Sequence, residues 1–163
     1  MERTGRSVEE FVAQVTPAKR RRDAETLIAL LRDVSGRDPQ MWSGSIIGFG
    51  ACHYVYPTGT EGDMPILGFS PRRAATTVYL DDAAAHGEAL AALGPHTTGA
   101  SCLYLADLEA VDRDVLRSVL EETQRRVVAD ELPGATVTVL DDASSSSLAC
   151  VSVTERTRPT YPR

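Results

Sequence analysis

The order of the apolar segments constrains the fold of this 163-residue chain more than any other feature. Short strand-like runs lie in the middle of the sequence, and helical patterns lie on both sides of them. The expected strands are residues 46–49, 52–56, 66–69, 76–80 and 102–105, most of them bounded by glycines or other turn formers. Strands that are grouped together, rather than alternating with helices, favour an antiparallel sheet. We therefore predict a two-layer α+β fold, with a mostly antiparallel sheet of about five strands and helices packed on one face.

Capping residues mark the ends of the predicted helices. Ser7 and Glu10 have the spacing of a capping box, in which the hydroxyl accepts from a free amide and the carboxylate reaches back. Pro17 suits the first turn of a second helix because its missing N–H costs nothing there. Gly36 suits the C-terminal cap of that helix, and Asp112 is expected to cap a long helix further along the chain.

The C-terminal part of the chain has two further patterns. The alanine-rich segment 83–93 is expected to be helical. β-Branched residues alternate over 135–140 and again over 148–153, which predicts a β-hairpin. We therefore divide the chain into an α+β domain over 7–130 and a C-terminal extension over 131–163, which consists of this hairpin and a loose tail.

The charge of the chain argues against a nucleic-acid partner. Its net charge is −6 and its pI is near 5.1, whereas proteins that bind duplexes usually carry a basic surface. The one basic run, Lys19-Arg20-Arg21-Arg22, opens a predicted helix and is interpreted as a solvated face.

The cysteine pattern indicates a reducing compartment. Cys52, Cys102 and Cys150 are far apart and form neither a C-x-x-C motif nor an even disulfide framework. The first residues lack the apolar stretch of a signal peptide, and no apolar run approaches the ~20 residues that span a bilayer. We therefore expect a cytoplasmic protein with no membrane partner.

The segment 94–101, Gly-Pro-His-Thr-Thr-Gly-Ala-Ser, is the strongest candidate for a ligand site. Its glycines allow backbone amides to turn toward an anion, and the hydroxyls of Thr98 and Ser101 add donors. The alternative is a structured turn held by the same side chains.

Arg72 is the second candidate, because it follows a proline between two expected strands and presents a planar guanidinium to a carboxylate or phosphate. Its neighbour Arg73 is expected to point the other way. The alternatives for Arg72 are an ordinary surface arginine or an ion pair with Asp63 or Glu61.

The other residues expected to border the same pocket are aromatic, hydroxyl-bearing or imidazole side chains in the glycine-rich segments: Trp42, Ser45, His53, His96 and Tyr104. His53, Asp63 and His96 also form a candidate metal site, since imidazole and carboxylate are common ligands of transition metals. The alternatives are a structural role for each histidine and, for Trp42, an anchor between the second helix and the sheet.

Catalytic motifs are not found in the sequence. Ser45 lacks the G-x-S-x-G pattern, and the adjacent Cys52 and His53 point to opposite faces of an expected strand. We assign no catalytic residue, and the residues favour a protein that is not an enzyme.

A series of short motifs follows the chain in a defined order: Val8-Glu9-Glu10-Phe11, Met41-Trp42, Ser45-Ile46-Ile47-Gly48-Phe49-Gly50, His53-Tyr54, Gly62-Asp63, Gly68-Phe69-Ser70-Pro71-Arg72, Gly94-x-His96-x-Thr98-Gly99-x-Ser101-Cys102-Leu103-Tyr104 and Asp112-x-x-Val115-Leu116. In this order the motifs resemble the YdhG-like domain-of-unknown-function family, and the resemblance covers residues 7–126.

The resemblance implies that metal handling is one function to test. One branch of the family is described as a frataxin-like iron chaperone, so iron is the metal that the resemblance implies. Exposed carboxylates would then bind it, and the chain offers Asp81, Asp82, Asp107, Glu109, Asp112 and Asp114. Such carboxylates also suit helix starts without any metal.

The chain departs from the family pattern in the loop before Ser101. Family members often carry lysines at places that hold Pro95, Thr97 and Ala100 here, and an aromatic residue at the place of Met64. The loop of this chain therefore offers no lysine for a role that needs positive charge.

Three functions follow as hypotheses. The first is a non-catalytic protein that binds a small anionic ligand or a metal in a pocket beside the 94–101 loop. The second is a frataxin-like chaperone that delivers iron to a partner protein. The third is an interaction module, such as a homodimer in which the C-terminal hairpin pairs across chains.

Overall fold

The structure, a computed structural model, describes residues 1–140. The helices are α1 (Val8–Ala13), α2 (Ala18–Ser35), α3 (Gly87–Leu90) and α4 (Arg113–Val128). The strands are β1 (Pro39–Trp42), β2 (Ile46–Phe49), β3 (Ala51–Val55), β4 (Glu61–Met64), β5 (Leu67–Pro71), β6 (Thr76–Tyr79), β7 (Thr97–Thr98), β8 (Cys102–Leu105) and β9 (Thr136–Leu140). None of these helices is both long and apolar enough to cross a membrane.

The strands form two antiparallel sheets. The larger has the order β1-β2-β5-β6-β8-β7, and the smaller has the order β4-β3-β9. One long hairpin runs through both, because β3 continues β2 after Gly50 and β5 follows β4 after two residues. Gly50 has a φ of +74°, and a Cβ there would lie 2.9 Å from the Cδ1 atom of Ile66, so this bend requires glycine.

The α+β prediction is confirmed, and the number of strands differs from the expectation. The larger sheet has six strands where about five were expected in total, and a second sheet of three strands lies beside it. The expected strand pattern does not indicate the second sheet, since a single bend after Gly50 separates it from the first.

The helices α2 and α4 cover one face of the six-stranded sheet. Leu27 and Leu31 of α2, and Leu116 and Leu120 of α4, are fully buried. The sheet side chains of the same core are Ile47, Phe49, Phe69, Val78, Leu103 and Leu105. Burial of each such side chain contributes about 1.5–3 kcal/mol, so this layer holds the fold together. The predicted packing of helices on one face is confirmed.

The opposite face of the six-stranded sheet carries aromatic, hydroxyl and glycine positions. Strand alternation and the observed register place these residues on it: Trp42, Ile46, Gly48, Gly68, Ser70, Thr77, Tyr79, Cys102 and Tyr104. Trp42 and Ile46 form a small apolar cluster with Ala51, separate from the main core. Trp42 therefore does not anchor α2 to the sheet.

The predicted caps at Ser7, Gly36 and Asp112 are present, but Pro17 is the N-cap residue of α2, and the Glu10 carboxylate makes no hydrogen bond back to the Ser7 amide within residues 1–140. Ser7 Oγ accepts from the Glu10 amide at 3.2 Å, and Asp112 Oδ1 accepts from two amides of the first turn of α4. Gly36 ends α2 with a φ of +66°. The expected helix over 83–93 is wrong in part, because the segment forms a 3₁₀ turn (Ala83–His86) followed by the single α-turn of α3.

The strand predicted at 135–140 is confirmed as β9, and β3 is its neighbour in the described part of the chain. The register pairs Ala51 with Leu140 and Val55 with Thr136. The second strand of the predicted hairpin, 148–153, and the loose tail lie outside the described residues.

The basic run at the start of α2 is not a uniformly solvated face. Arg20 is 4% exposed, and its guanidinium donates to Thr76 Oγ1 and to the carbonyls of Leu105 and Ala106 at 3.2–3.3 Å. Asp23 beside it accepts from the Leu108 amide at 3.1 Å. Arg20 therefore connects α2 to the ends of β6 and β8, and the interpretation of the run as solvated is wrong for this residue.

Candidate functional site

Three arginines line an exposed cleft at the end of β5. Arg72 and Arg73 follow this strand directly, and Arg6 comes from the segment before α1. The cleft has a volume of about 420 Å³. The remaining residues that line it are Phe11, Gln14, Val15, Thr16, Ser45, Ser70 and Pro71. We call this feature the arginine cleft.

The turn between β1 and β2 places Ser45 at the edge of the arginine cleft. Gly44 and Ser45 have φ values of +78° and +61°, which is the conformation that tight hairpin turns require at their central residues. The hydroxyl of Ser70 donates to the Ser45 carbonyl at 2.9 Å. This hydrogen bond ties the turn to β5 and holds both serines beside the arginines.

The arginine cleft is a local positive region on an acidic protein. Within residues 1–140, none of Arg6, Arg72 and Arg73 forms an ion pair with a carboxylate. The Arg6 guanidinium lies over the Phe11 ring, 5.5 Å from its centroid. The predicted ion pair of Arg72 with Asp63 or Glu61 is therefore not formed, and Arg73 lines the same cleft as Arg72 rather than pointing away.

Tyr104 lies on the sheet face that also leads to the arginine cleft. A hydrogen bond with the Cys102 side chain raises the pKa of Tyr104, and the positive charge of Arg72 acts in the opposite direction. Tyr104 does not line the arginine cleft, and its hydroxyl lies beside Gly99 of the 94–101 loop, 3.3 Å from the position of an added Cβ there. Trp42, expected in the same pocket, is 2% exposed and does not line the cleft.

The 94–101 loop borders a separate cleft of about 390 Å³. His96 and Thr98 line it together with small and apolar residues, namely Ala83, Ala84, Gly87, Leu90, Ala91, Gly99 and Ala100. The Nδ1 atom of His96 donates to the Gly94 carbonyl at 2.7 Å. No lysine or arginine among residues 1–140 lines this cleft, so the loop and Arg72 do not share a site.

Ser101 lies at the end of this loop but lines a third hollow. The cavity is about 300 Å³ in volume and is lined mostly by apolar side chains. The Ser101 hydroxyl donates to the Asp81 carbonyl at 3.4 Å. We call this feature the apolar cavity.

The candidate metal ligands His53, Asp63 and His96 do not lie together either. His53 and Asp63 pair across β3 and β4, with Nδ1 and Oδ1 2.7 Å apart. Glu61 approaches the other imidazole nitrogen at 4.0 Å, whereas His96 lies in the cleft of the 94–101 loop. In the described part of the chain, no group of three His, Cys, Asp or Glu side chains is arranged to hold a metal ion.

Most of the carboxylates that the resemblance suggests for iron have structural partners. Asp81 is buried and contacts His86, Thr123 and Arg126. Asp107 pairs with Lys19 at 3.2 Å and with Arg22 at 3.6 Å, and its hydrogen bond with Lys19 is the main cause that lowers the pKa of Asp107. Asp112 caps α4.

No family model matches the chain, and no curated protein or solved structure matches it. The resemblance to the YdhG-like family therefore stays a prediction from the motifs in the sequence.

Sequence reasoning did not select two of the three cleft arginines. Arg6 lies in a polar N-terminal stretch without a motif, and Arg73 was expected to face away. The available signal was an Arg-Arg pair directly after a proline that ends a strand. Because Arg6 is 66 positions before Arg72, only the path of the chain around β1 brings them together.

Proposed function

We propose that this protein is a non-catalytic small-ligand-binding protein, and that the arginine cleft holds the anionic group of its ligand. The observation that carries the proposal is the meeting of three arginines that have no carboxylate partner within residues 1–140. Arginine binds carboxylate and phosphate through paired N–H donors. The cytoplasmic location favoured by the cysteine pattern is part of the same proposal.

The shape and lining of the cleft support a small, multiply charged ligand. Its volume of about 420 Å³ lies within the range of about 300–1,000 Å³ for ligand sites. Ser45, Gln14 and Thr16 at its edge add uncharged hydrogen-bonding groups. Phosphorylated metabolites and di- or tricarboxylates have the matching chemistry.

The proposal differs in position from the site expected at the 94–101 loop. That loop lines a cleft with His96 as its one titratable group among residues 1–140, so it lacks the permanent positive charge that an anion needs. The arginine cleft supplies this charge from Arg6, Arg72 and Arg73.

Isothermal titration with inorganic phosphate and with citrate tests the proposal. We expect saturable binding that weakens as NaCl is raised, because exposed charges are screened by salt. The Arg72→Gln/Arg73→Gln variant should lose this binding, and Arg6→Gln should weaken it.

Arg113→Gln is the matched control, since it removes one exposed arginine from α4 and leaves the arginine cleft intact. Equal weakening by the control and by Arg6→Gln would show a general charge effect and contradict the proposal. Binding of heparin without any binding of phosphate or citrate would also contradict it, because it would indicate a macromolecular polyanion instead.

A further inference from the structure

The apolar cavity lies at the opposite end of β5 from the arginine cleft. It is lined by the start of β5, the end of β6, the end of α4 and the residues after it, and it is open to solvent on one side. Its apolar lining includes Ile46, Met64, Ile66, Leu80, Val127 and Leu132. This lining favours a ligand with an apolar body.

The charged side chains that line the apolar cavity have one sign of charge. Asp81 and Asp82 line it, together with the hydroxyl-bearing side chains of Tyr56, Tyr79 and Ser101. No lysine, arginine or histidine side chain of residues 1–140 lines it. A cation is therefore the charged group that this lining accommodates.

The two carboxylates differ in how far they are engaged. Asp81 has a fully buried side chain, with His86 and Thr123 on one oxygen and Arg126 on the other. Asp82 Oδ1 accepts from the Ala84 amide at 3.1 Å. No residue of the described chain donates to its second oxygen, so Asp82 is the carboxylate that remains available.

Two tyrosines line the same cavity and supply aromatic rings as well as hydroxyl groups. The face of a tyrosine ring attracts an ammonium group within about 6 Å of its centroid. Tyr79 and Tyr56 both line the cavity that contains Asp82. A carboxylate, two tyrosines and an apolar wall together match an organic ammonium group that carries a short apolar chain.

We infer that the apolar cavity is a second binding site, which takes a small amphipathic ammonium compound with its cation at Asp82 and its apolar chain against Val127 and Leu132. This site is separate from the arginine cleft and has the opposite charge preference. It does not depend on the function proposed for that cleft.

Titration of the ¹⁵N-labelled full-length protein with three probes of equal chain length tests the inference. The probes are n-butylammonium, n-butanol and pentanoate, each with a four-carbon alkyl chain, and binding is measured by two-dimensional NMR. We expect shifts at Tyr79, Asp82, Ser101 and Leu132, and an affinity for n-butylammonium at least roughly fivefold above that for n-butanol. Pentanoate should bind more weakly than n-butanol.

Three variants distinguish the contribution of the Asp82 charge from that of the apolar lining of the cavity. Asp82→Asn keeps an N-cap residue and should reduce the n-butylammonium affinity to that of n-butanol. Leu132→Arg introduces a cation at a half-buried position and should abolish binding, with circular dichroism to show that the protein remains folded. Asp114→Asn, an exposed carboxylate outside the cavity, should change nothing.

Three results would overturn the inference: equal affinity for all three probes, shifts confined to residues outside the cavity, or equal weakening by Asp82→Asn and Asp114→Asn. If Leu132→Arg does not fold, the comparison of the two aspartate variants decides the question alone. Loss of binding in Arg72→Gln/Arg73→Gln would show that the probe occupies the arginine cleft, and would also contradict the inference.

Discussion

The Oδ1 atom of Asp81 lies 2.6 Å from the Nε2 atom of His86 in the interior of the protein. Thr123 Oγ1 approaches both groups at 3.2 Å, and Arg126 Nε lies 2.8 Å from the second carboxylate oxygen. The network joins the end of β6 to α4 through side chains alone. Asp81, which follows β6, and Thr123 of α4 are both buried.

We expect Asp81→Ala to destabilise the fold strongly. Removal of one member of a buried charged pair costs about 3–5 kcal/mol, because the partner stays buried without its counter-charge. Urea denaturation measures the loss. Asp33→Ala removes the partner of Arg117 at an exposed ion pair and should change stability little. Similar losses in the two variants would show that the buried network contributes no more than a surface pair.

Gly48→Ala should also destabilise the fold, for a steric reason. A Cβ at Gly48 would lie 2.5 Å from the Cδ1 atom of Trp42 and 2.6 Å from the Cβ of Pro65. Overpacking of this kind typically costs about 1–3 kcal/mol. Because Trp42 is the sole tryptophan, its fluorescence should change as the indole moves.

Gly87→Ala is the control for this substitution. Gly87 begins α3 with an ordinary helical φ of −54°, and no atom lies within 4 Å of an added Cβ. Alanine there should raise stability by up to about 1 kcal/mol. A loss of stability from Gly87→Ala, or none from Gly48→Ala, would contradict the packing described.

Ser45→Gly should stabilise the protein by less than ~1 kcal/mol. The left-handed conformation of Ser45, with a φ of +61°, costs a non-glycine residue roughly 1–2 kcal/mol, and the greater chain entropy of unfolded glycine offsets part of the gain. Ser45→Ala removes the same hydroxyl but keeps the unfavourable φ, so it should give no gain. Thermal unfolding of both variants distinguishes backbone strain from loss of the side chain.

The stability of the protein should fall above pH 9 through Cys52. Burial, and to a lesser extent the negative charge of Asp63, raises the pKa of Cys52 to about 12 from 9.0. Between these two pKa values the Cys52 thiol loses its proton in the unfolded chain and keeps it in the folded chain. The free energy of unfolding therefore decreases over this pH range by roughly 1.4 kcal/mol per pH unit at most. Below pH 9 the thiol is protonated in both states, so the contribution of Cys52 to stability is fully present there.

Chemical denaturation between pH 8 and pH 11 measures this effect, with Cys52→Ala as the control. The slope above pH 9 should be steeper in the unmodified protein than in the variant. Identical slopes would show that Cys52 titrates alike in both states.

At pH 8, half-exposed Cys102 should react with iodoacetamide in a Cys150→Ser background, while Cys52 should not.

The sequence determined those features that depend on neighbouring residues. Helix ends at Ser7, Gly36 and Asp112 follow from local hydrogen bonding, and the alternation over 135–140 predicts a strand whatever its partner. Grouped strands flanked by helices were sufficient for the α+β class. The segment 83–93 was the exception, because alanine content does not distinguish one long helix from two short turns.

The tertiary structure alone decided which side chains meet. The predicted pocket separates into the arginine cleft, the cleft of the 94–101 loop, the apolar cavity and the His53–Asp63 pair. Strand order and the bend after Gly50 set these distances, and both arise from contacts between residues far apart in the chain. The same long-range contacts bury Arg20 and Asp81, whose local sequence resembles that of solvated charges, and bring Arg6 beside Arg72.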